Sequence, residues 1–542
     1  PPRIPTAASR SWVGLLFACV LQSACAGEGP GANPVAAPAS FAHPDECASC
    51  HPRQYAEWQG SMMHYATVSP VFNALEAVGN DMTDGAFARD GTDALFCQRC
   101  HTPVAVLEDS FPDHADAGGR PSRDFVGDVA SHGLSCDVCH QVAHADLAGS
   151  LLGDGIANAS FQLLPGATKF GPLRDPDPIF SPRHATAFSG YLSSAEFCGS
   201  CHDVRPRGQD VATGEPFLRL ENLFTEWQES PYATADNPHG QVVTCQDCHM
   251  SLYPYEPPGT YPINRASEYG DAPLRRVSTH YFTGVDVALV DFPGQDDARR
   301  DSYGMPIGQR QRRADLLRAA CTIALRLPAQ AKAGEVLPVA VDVTNVGAGH
   351  NVPAGFSQER QVWIELTVED SSGTAIYRSG HLVDRAHPET GEGEPDGRLH
   401  DEDLQNLMGA VEPHMSDHDL VIGPDHDQRP ERNLGLVNFG NEFEILDSHG
   451  AREVFVPFIA NHMNNGHSLP PLQTVTATYD VELPAAVEGP VSVRARLRFR
   501  PFPPRFLRML AVERPDLVDE AIVDRNEIID MVESAGSVAI TR

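Results

Sequence analysis

Five copies of Cys-x-x-Cys-His stand within about two hundred residues of this chain and constrain its fold more than any other feature. They are Cys47-Ala-Ser-Cys50-His51, Cys97-Gln-Arg-Cys100-His101, Cys136-Asp-Val-Cys139-His140, Cys198-Gly-Ser-Cys201-His202 and Cys245-Gln-Asp-Cys248-His249. Thirteen Cys and 23 His placed at random in 542 residues would give such a match far less than once. The spacing is the covalent attachment signature of c-type haem. Two thiols add across the porphyrin vinyl groups, and the adjacent His becomes an axial ligand of the iron. Cys47, Cys50, Cys97, Cys100, Cys136, Cys139, Cys198, Cys201, Cys245 and Cys248 therefore read as thioether positions. His51, His101, His140, His202 and His249 read as proximal ligands, and five covalent haem c groups are expected. Successive motifs begin 50, 39, 62 and 47 residues apart, which argues against a regular repeat. Between them run short helical pieces broken by Gly and Pro. Such a chain holds a core poorly by itself, and covalent haem supplies the missing apolar interior.

Each haem has a sixth position to fill. A second His gives a closed electron-transfer haem, Met raises the potential, and an empty site admits a ligand. The histidines available around the motifs are His43, His64, His114, His132, His144, His184, His239 and His280. His43, His114 and His144 read as surface residues. His280 follows the last motif and is placed to close a later haem; His239 precedes the fifth motif by six residues. His350, in Gly347-Ala348-Gly349-His350-Asn351-Val352-Pro353, reads either as a ligand or as part of a structural turn. The stretch from His51 to His64 looks largely helical, so the two lie about 20 Å apart along an axis rising 1.5 Å per residue. Two nitrogens on one iron sit only about 4 Å apart. His64 is thus expected to serve a haem other than the first. None of the motifs has Lys in place of its final His.

Trp58, Ser61 and His64, with Gly133-Leu134-Ser135-Cys136-Asp137-Val138-Cys139-His140, resemble the multihaem cytochrome family typified by the tetrahaem electron acceptor of hydroxylamine oxidation. The resemblance covers roughly residues 43–290. It implies that His64 is a distal ligand, and that His132 and His184, each shortly before a motif, are others. The chain departs from that family in its fifth motif and its appended C-terminal half, so the family's redox partner is not carried over.

The rest of the chain sets the context. Arg3 and Arg10 precede an apolar run from Trp12 to Leu21, the length of a signal-peptide core. Leu21-Gln22-Ser23-Ala24-Cys25 resembles a bacterial lipobox with Cys25 as the lipidation candidate, and simple secretion is the other reading. Residues 1–26 are the expected leader and 27–42 a flexible Gly/Ala/Pro tether. A pentahaem domain is expected over 43–300, mainly helical and irregular. Apolar and polar residues then alternate in Val336–Val343, Gln361–Val368, Thr474–Leu483 and Val491–Phe499, as in half-buried strands. They imply an immunoglobulin-like β-sandwich over 318–502, interrupted by an acidic insertion at about 381–450. C-terminal helices are expected over 503–542. Nine His between His381 and His467 show no metal-ligand spacing. Cys321 has no partner and reads as a small buried hydrophobe. The net charge of −33 disfavours nucleic acid and is compatible with a redox protein partner, such as another cytochrome. Membrane association is expected only through the N-terminal lipid. The expected function is exported electron transfer, with five distal histidines closing five irons, and electron transfer is favoured over catalysis without excluding it. The alternative is a reductase or oxidase of a small nitrogen or sulfur compound, which needs one open haem. A surface adhesion protein with secondary haems is a third reading.

Overall fold

The computed structural model describes residues 41–176, 183–216, 218–380, 437–454, 456–464 and 468–542. The expected leader and most of the tether, with Cys25, lie outside these, as does 381–436 of the acidic insertion. The described residues belong to one compact unit. Among the described residues no helix is long and apolar enough to cross a membrane.

The motif segment has the expected short helices. Its longest, Pro70–Met82, starts on a Ser69 hydroxyl that accepts the Phe72 N–H and carries Pro in its first turn. Both features satisfy or remove N–H groups that a helix start leaves unpaired. Its inner face presents Val71, Ala74 and Val78 to Phe506, Leu507 and Leu510 of the helix Pro504–Glu513. Between the motif segment and the strands stands the helix Gln309–Ala320, which buries Arg312 and Arg313. Arg313 pairs with Glu527 at 2.6 Å, and Arg312 lies over the Tyr281 ring at 3.6 Å.

The second half is β-rich. Strands Cys321–Arg326, Val336–Asn345 and Thr474–Glu482 form one antiparallel sheet. Ala375–Ser379, Gln361–Glu369, Val491–Arg500, Ile529–Thr541 and Gln330–Lys332 form the larger one in that order, with Val437–Phe439 also on Gln361–Glu369. The inward residues Leu337, Val339, Val341 and Val343 share one apolar core with Val362, Ile364, Leu366, Val491, Val493 and Leu497. Each such burial contributes about 1.5–3 kcal/mol relative to exposure. Cys321 lies in that core, 2% exposed, as a small hydrophobe.

Three features differ from the sequence reading. Gln361–Glu369 is buried on both faces rather than one. Its outer face carries Trp363 beneath the Arg498 and Arg500 guanidinium groups, and Glu365 paired to Arg496 and Arg498 at 2.5 and 2.6 Å. The C-terminal segment is not all helix. After Pro504–Glu513 and a 3₁₀ turn at Glu520–Arg525, residues Ile529–Thr541 form a strand paired along Val491–Phe499. The spacing of Leu517, Ala521, Ile528 and Met531 suits a helix, but the partner strand captures the alternation that begins at Ile529. Finally, the end of the expected insertion is ordered as strands Val437–Phe439, Glu442–Asp447 and Gly450–Glu453. The first of these adds to the main sheet, so tertiary pairing overrides a polar local composition.

Candidate haem sites

Each motif folds as about one helical turn. Backbone bonds run from His51, His101 and His202 N–H to Cys47, Cys97 and Cys198 carbonyls at 2.8, 3.1 and 2.8 Å. Cys136–His140 and Cys245–His249 are single-turn helices. Residues i, i+3 and i+4 share one helical face, so two thiols and an imidazole point to one side, as covalent haem requires. None of the ten thiols is in a disulfide.

Two imidazoles sharing an iron at metal–nitrogen bonds of about 2 Å place their ring centroids about 6.3 Å apart, once the ring radius is added. Three motif histidines have such a partner. His51 faces His184, His140 faces His280, and His249 faces His350, each pair at 6.4 Å with planes 26°, 24° and 12° apart. The Nδ1 atoms of His51, His140 and His249 donate to the carbonyls of Ala266, Phe170 and Thr283, each at 2.7 Å. Those of His184 and His350 donate to Ala185 and Asn351 carbonyls at 3.1 and 2.9 Å. Such bonds fix the tautomer and leave Nε2 for the metal. Burial lowers the pKa of all three motif histidines and carries His280 down to about 3 and His350 to about 4, so these rings are neutral at physiological pH. The residues fit three bis-His haems.

His64 and His132 are placed differently. His64 Nε2 lies 3.0 Å from His132 Nδ1, and His132 Nε2 lies 3.0 Å from His43 Nε2. That is closer than two ligands of one iron, about 4 Å, and no motif histidine is brought against them. His64 stacks on Trp58 at 4.3 Å and donates Nδ1–H to the Gln59 carbonyl. His43 is thereby part of a half-buried row of three imidazoles rather than a lone surface residue. His239 is exposed, with its ring 6.1 Å from Tyr232. Among the described residues no histidine ring faces His101 or His202 at the separation the other three show. Instead, the Phe72 ring lies parallel to His101 at 4.0 Å. Of the nine His from 381 to 467, His462 bonds Asp210 at 2.9 Å and His449 is exposed; the other seven lie outside the described residues.

The thiols of different motifs meet. Cys47 and Cys136, Cys100 and Cys201, Cys198 and Cys245, and Cys139 and Cys201 lie close enough for one thiol of each pair to perturb the ionisation of the other. Thioethers sit at the porphyrin edge, so each approach would bring two haem edges together when the groups are bound. The first motif thus adjoins the third. The fourth adjoins the second, third and fifth.

The turn that carries His350 is held from both sides. Tyr232 and Tyr253 hydroxyls donate to the Val346 and Gly347 carbonyls, each at 3.0 Å, and the Asn345 amide donates to the His350 carbonyl at 2.9 Å. A Cβ on Gly347 would meet the Ala319 carbonyl oxygen at 2.1 Å, which explains the glycine before this His. Glu226 accepts the Asn351 N–H at 3.1 Å beside a cavity of about 350 Å³ lined by Asp210, Arg219, Asn222, Asn351 and Met463. Burial pushes Glu226 up to about 8 from 4.5. Between those two values the folded state keeps a proton the unfolded state has released, so stability falls as pH rises from about 4.5 to about 8. Glu226→Gln should therefore unfold at a higher temperature than wild type at pH 8, with the difference closing near pH 4.5. Equal differences at both ends would show that this carboxyl does not hold the proton.

Residues 46–141, spanning the first three motifs, match the family model Cytochrome c554 and c-prime. The match supports a multihaem c-type cytochrome. A penta-heme cytochrome c552 from Thermochromatium tepidum aligns over 92% of this chain and 99% of its own at 16% identity and a TM-score of 0.53, which shows a shared fold. The CARDB domain of a Pyrococcus furiosus protein aligns with 41% of this chain and 87% of its own at 10% identity. Its TM-score of 0.14 carries no weight. No curated protein matches. Covalently bound haem c and electron transport accord with these findings.

Sequence reasoning missed Glu221, whose Oε1 accepts the His202 Nδ1–H at 3.1 Å. No spacing in Leu218-Arg219-Leu220-Glu221-Asn222 announces it. It arrives because the chain returns and pairs Glu221 with Val204, two residues past the fourth motif.

Proposed function

We propose that this protein is an exported electron-transfer cytochrome with five covalent haems, built on the motif segment and braced by an immunoglobulin-like β-sandwich. The observation that carries the reading is the set of three histidine pairs at 6.4 Å together with thiol contacts that link all five motifs. When bound, the haems supply one-electron redox chemistry; the chain supplies their spacing, axial ligands and dielectric. Export, with Cys25 as a lipid anchor, accords with haem attachment outside the bacterial cytoplasm. The net charge of −33 favours a basic redox partner. The second reading, an enzyme acting on a small nitrogen or sulfur compound, draws on His101 and His202, which no histidine among the described residues faces.

One preparation tests both. Intact mass should exceed the processed chain by five haems. On reduction, carbon monoxide should bind the second and fourth haems and leave the other three unchanged, with no turnover of hydroxylamine, nitrite or a sulfur oxyanion. Fewer haems in matured protein, or carbon monoxide on a haem with a histidine pair, would refute the proposed arrangement. Turnover would favour the enzyme.

A further inference from the structure

Four of the five motif histidines anchor Nδ1 on a backbone carbonyl: His51 on Ala266, His101 on Ala66, His140 on Phe170 and His249 on Thr283. His202 alone among them anchors on a carboxylate, Glu221, at 3.1 Å. The carboxylate is built in. Val204 N–H donates to the Glu221 carbonyl at 2.8 Å and Leu220 N–H to the Val204 carbonyl at 3.0 Å. Phe224 N–H donates to the His202 carbonyl at 3.0 Å, so the returning strand is tied to the motif at both ends. The Glu221 side chain is 13% exposed, which keeps water from screening its charge. The adjacent acid, Asp203, is occupied elsewhere, by Arg205 at 3.0 Å and the Thr225 hydroxyl at 2.5 Å.

We propose that Glu221 is a redox-tuning residue for the fourth haem. By accepting the His202 Nδ1–H it makes that imidazole the most electron-donating of the five axial ligands, stabilises ferric over ferrous iron and lowers that haem's potential. The inference rests on His202 being an iron ligand. A carbonyl dipole polarises an imidazole weakly; a carboxylate pulls its proton and raises ligand basicity. The fourth motif's thiols meet those of the second and fifth and lie close to the third. An electron moving among those haems reduces the fourth iron, whose potential Glu221 holds down, and reoxidises it on leaving for the next, with no proton required. Glu221 then acts as a valve at the junction of the relay.

The test uses the full-length, haem-loaded protein. Glu221→Gln keeps the side-chain shape and removes the charge. Potentiometric titration followed by magnetic resonance should show one component rise by about tenfold in its ferrous-to-ferric ratio, the scale of such outer-shell changes, which is about 59 mV for one electron. The other four should hold, and Glu221→Asp should fall between Gln and wild type. The component is assigned by its absence from the Cys198→Ala/Cys201→Ala variant. In resonance Raman spectra, the iron–histidine stretch of the ferrous fourth haem should be lower in Glu221→Gln than in wild type. A five-haem Glu221→Gln protein with unchanged potentials and stretch overturns the tuning role and leaves the electron-transfer reading standing. Peptide mapping that finds no haem on Cys198 and Cys201 of wild type overturns both, before any variant is measured.

Discussion

Replacing His350 with alanine should open the fifth haem and no other. The reduced variant should bind one more equivalent of carbon monoxide than wild type and gain one high-spin ferric signal. The reason is geometric: His350 is the ring that faces His249 at 6.4 Å, and its Nδ1 is already committed to the Asn351 carbonyl. The β-rich half need not detach. Tyr232, Tyr253 and Glu226 still grip the turn through Val346, Gly347 and Asn351, and Arg313 still pairs with Glu527. Haem count should stay at five, because both thioethers of the fifth motif are untouched. His239→Ala is the matched control. That side chain lies six residues before the motif yet is exposed, and its loss should leave carbon monoxide binding unchanged. The opposite pattern, with His239→Ala opening a haem and His350→Ala silent, would remove the β-rich half from the redox centre.

The contrast between those two histidines shows what a sequence discloses here. Haem attachment was legible because its chemistry is local: two thiols and an imidazole on one helical turn. The facing histidines are not local. His184, His280 and His350, each a candidate on the sequence, face partners 133, 140 and 101 residues away along the chain, so the rings are legible but the pairings are not. His64 shows the same limit. Helix geometry assigns it to a haem other than the first, and in the structure it meets His132, another expected ligand, rather than a motif histidine. The strands were legible where one face is wet, as in Val336–Asn345 with Leu337, Val339, Val341 and Val343 inward. They were misread where both faces are covered, as at Trp363, or where a strand follows a helical rhythm, as at Ile529. Glu221 left no trace at all, since a lone carboxylate acquires its role only when a chain reversal sets it against His202.

Removing the fourth haem should divide the relay rather than shorten it. In the Cys198→Ala/Cys201→Ala variant the first and third haems stay joined through the Cys47–Cys136 contact. The second loses the neighbour it had through Cys100 and Cys201, and the fifth loses the one it had through Cys245 and Cys198. A protein-sized donor, which reaches one haem edge at a time, should reduce wild type in a single fast phase because electrons redistribute internally. The same donor should reduce the variant in separate phases, with part of the haem signal lagging far behind. Cys97→Ala/Cys100→Ala removes a haem that adjoins only the fourth, and its remaining four should still fill in one phase. The pair of variants thus compares loss of a junction with loss of a terminus at equal haem count. The β-rich core, with Leu337, Val341, Ile364 and Leu497 fully buried, should keep its circular dichroism in both. Stopped-flow traces in which both variants fill in one phase at the wild-type rate would mean that other haem edges approach as closely as the thiol contacts do, and the fourth haem would then be one stop among several.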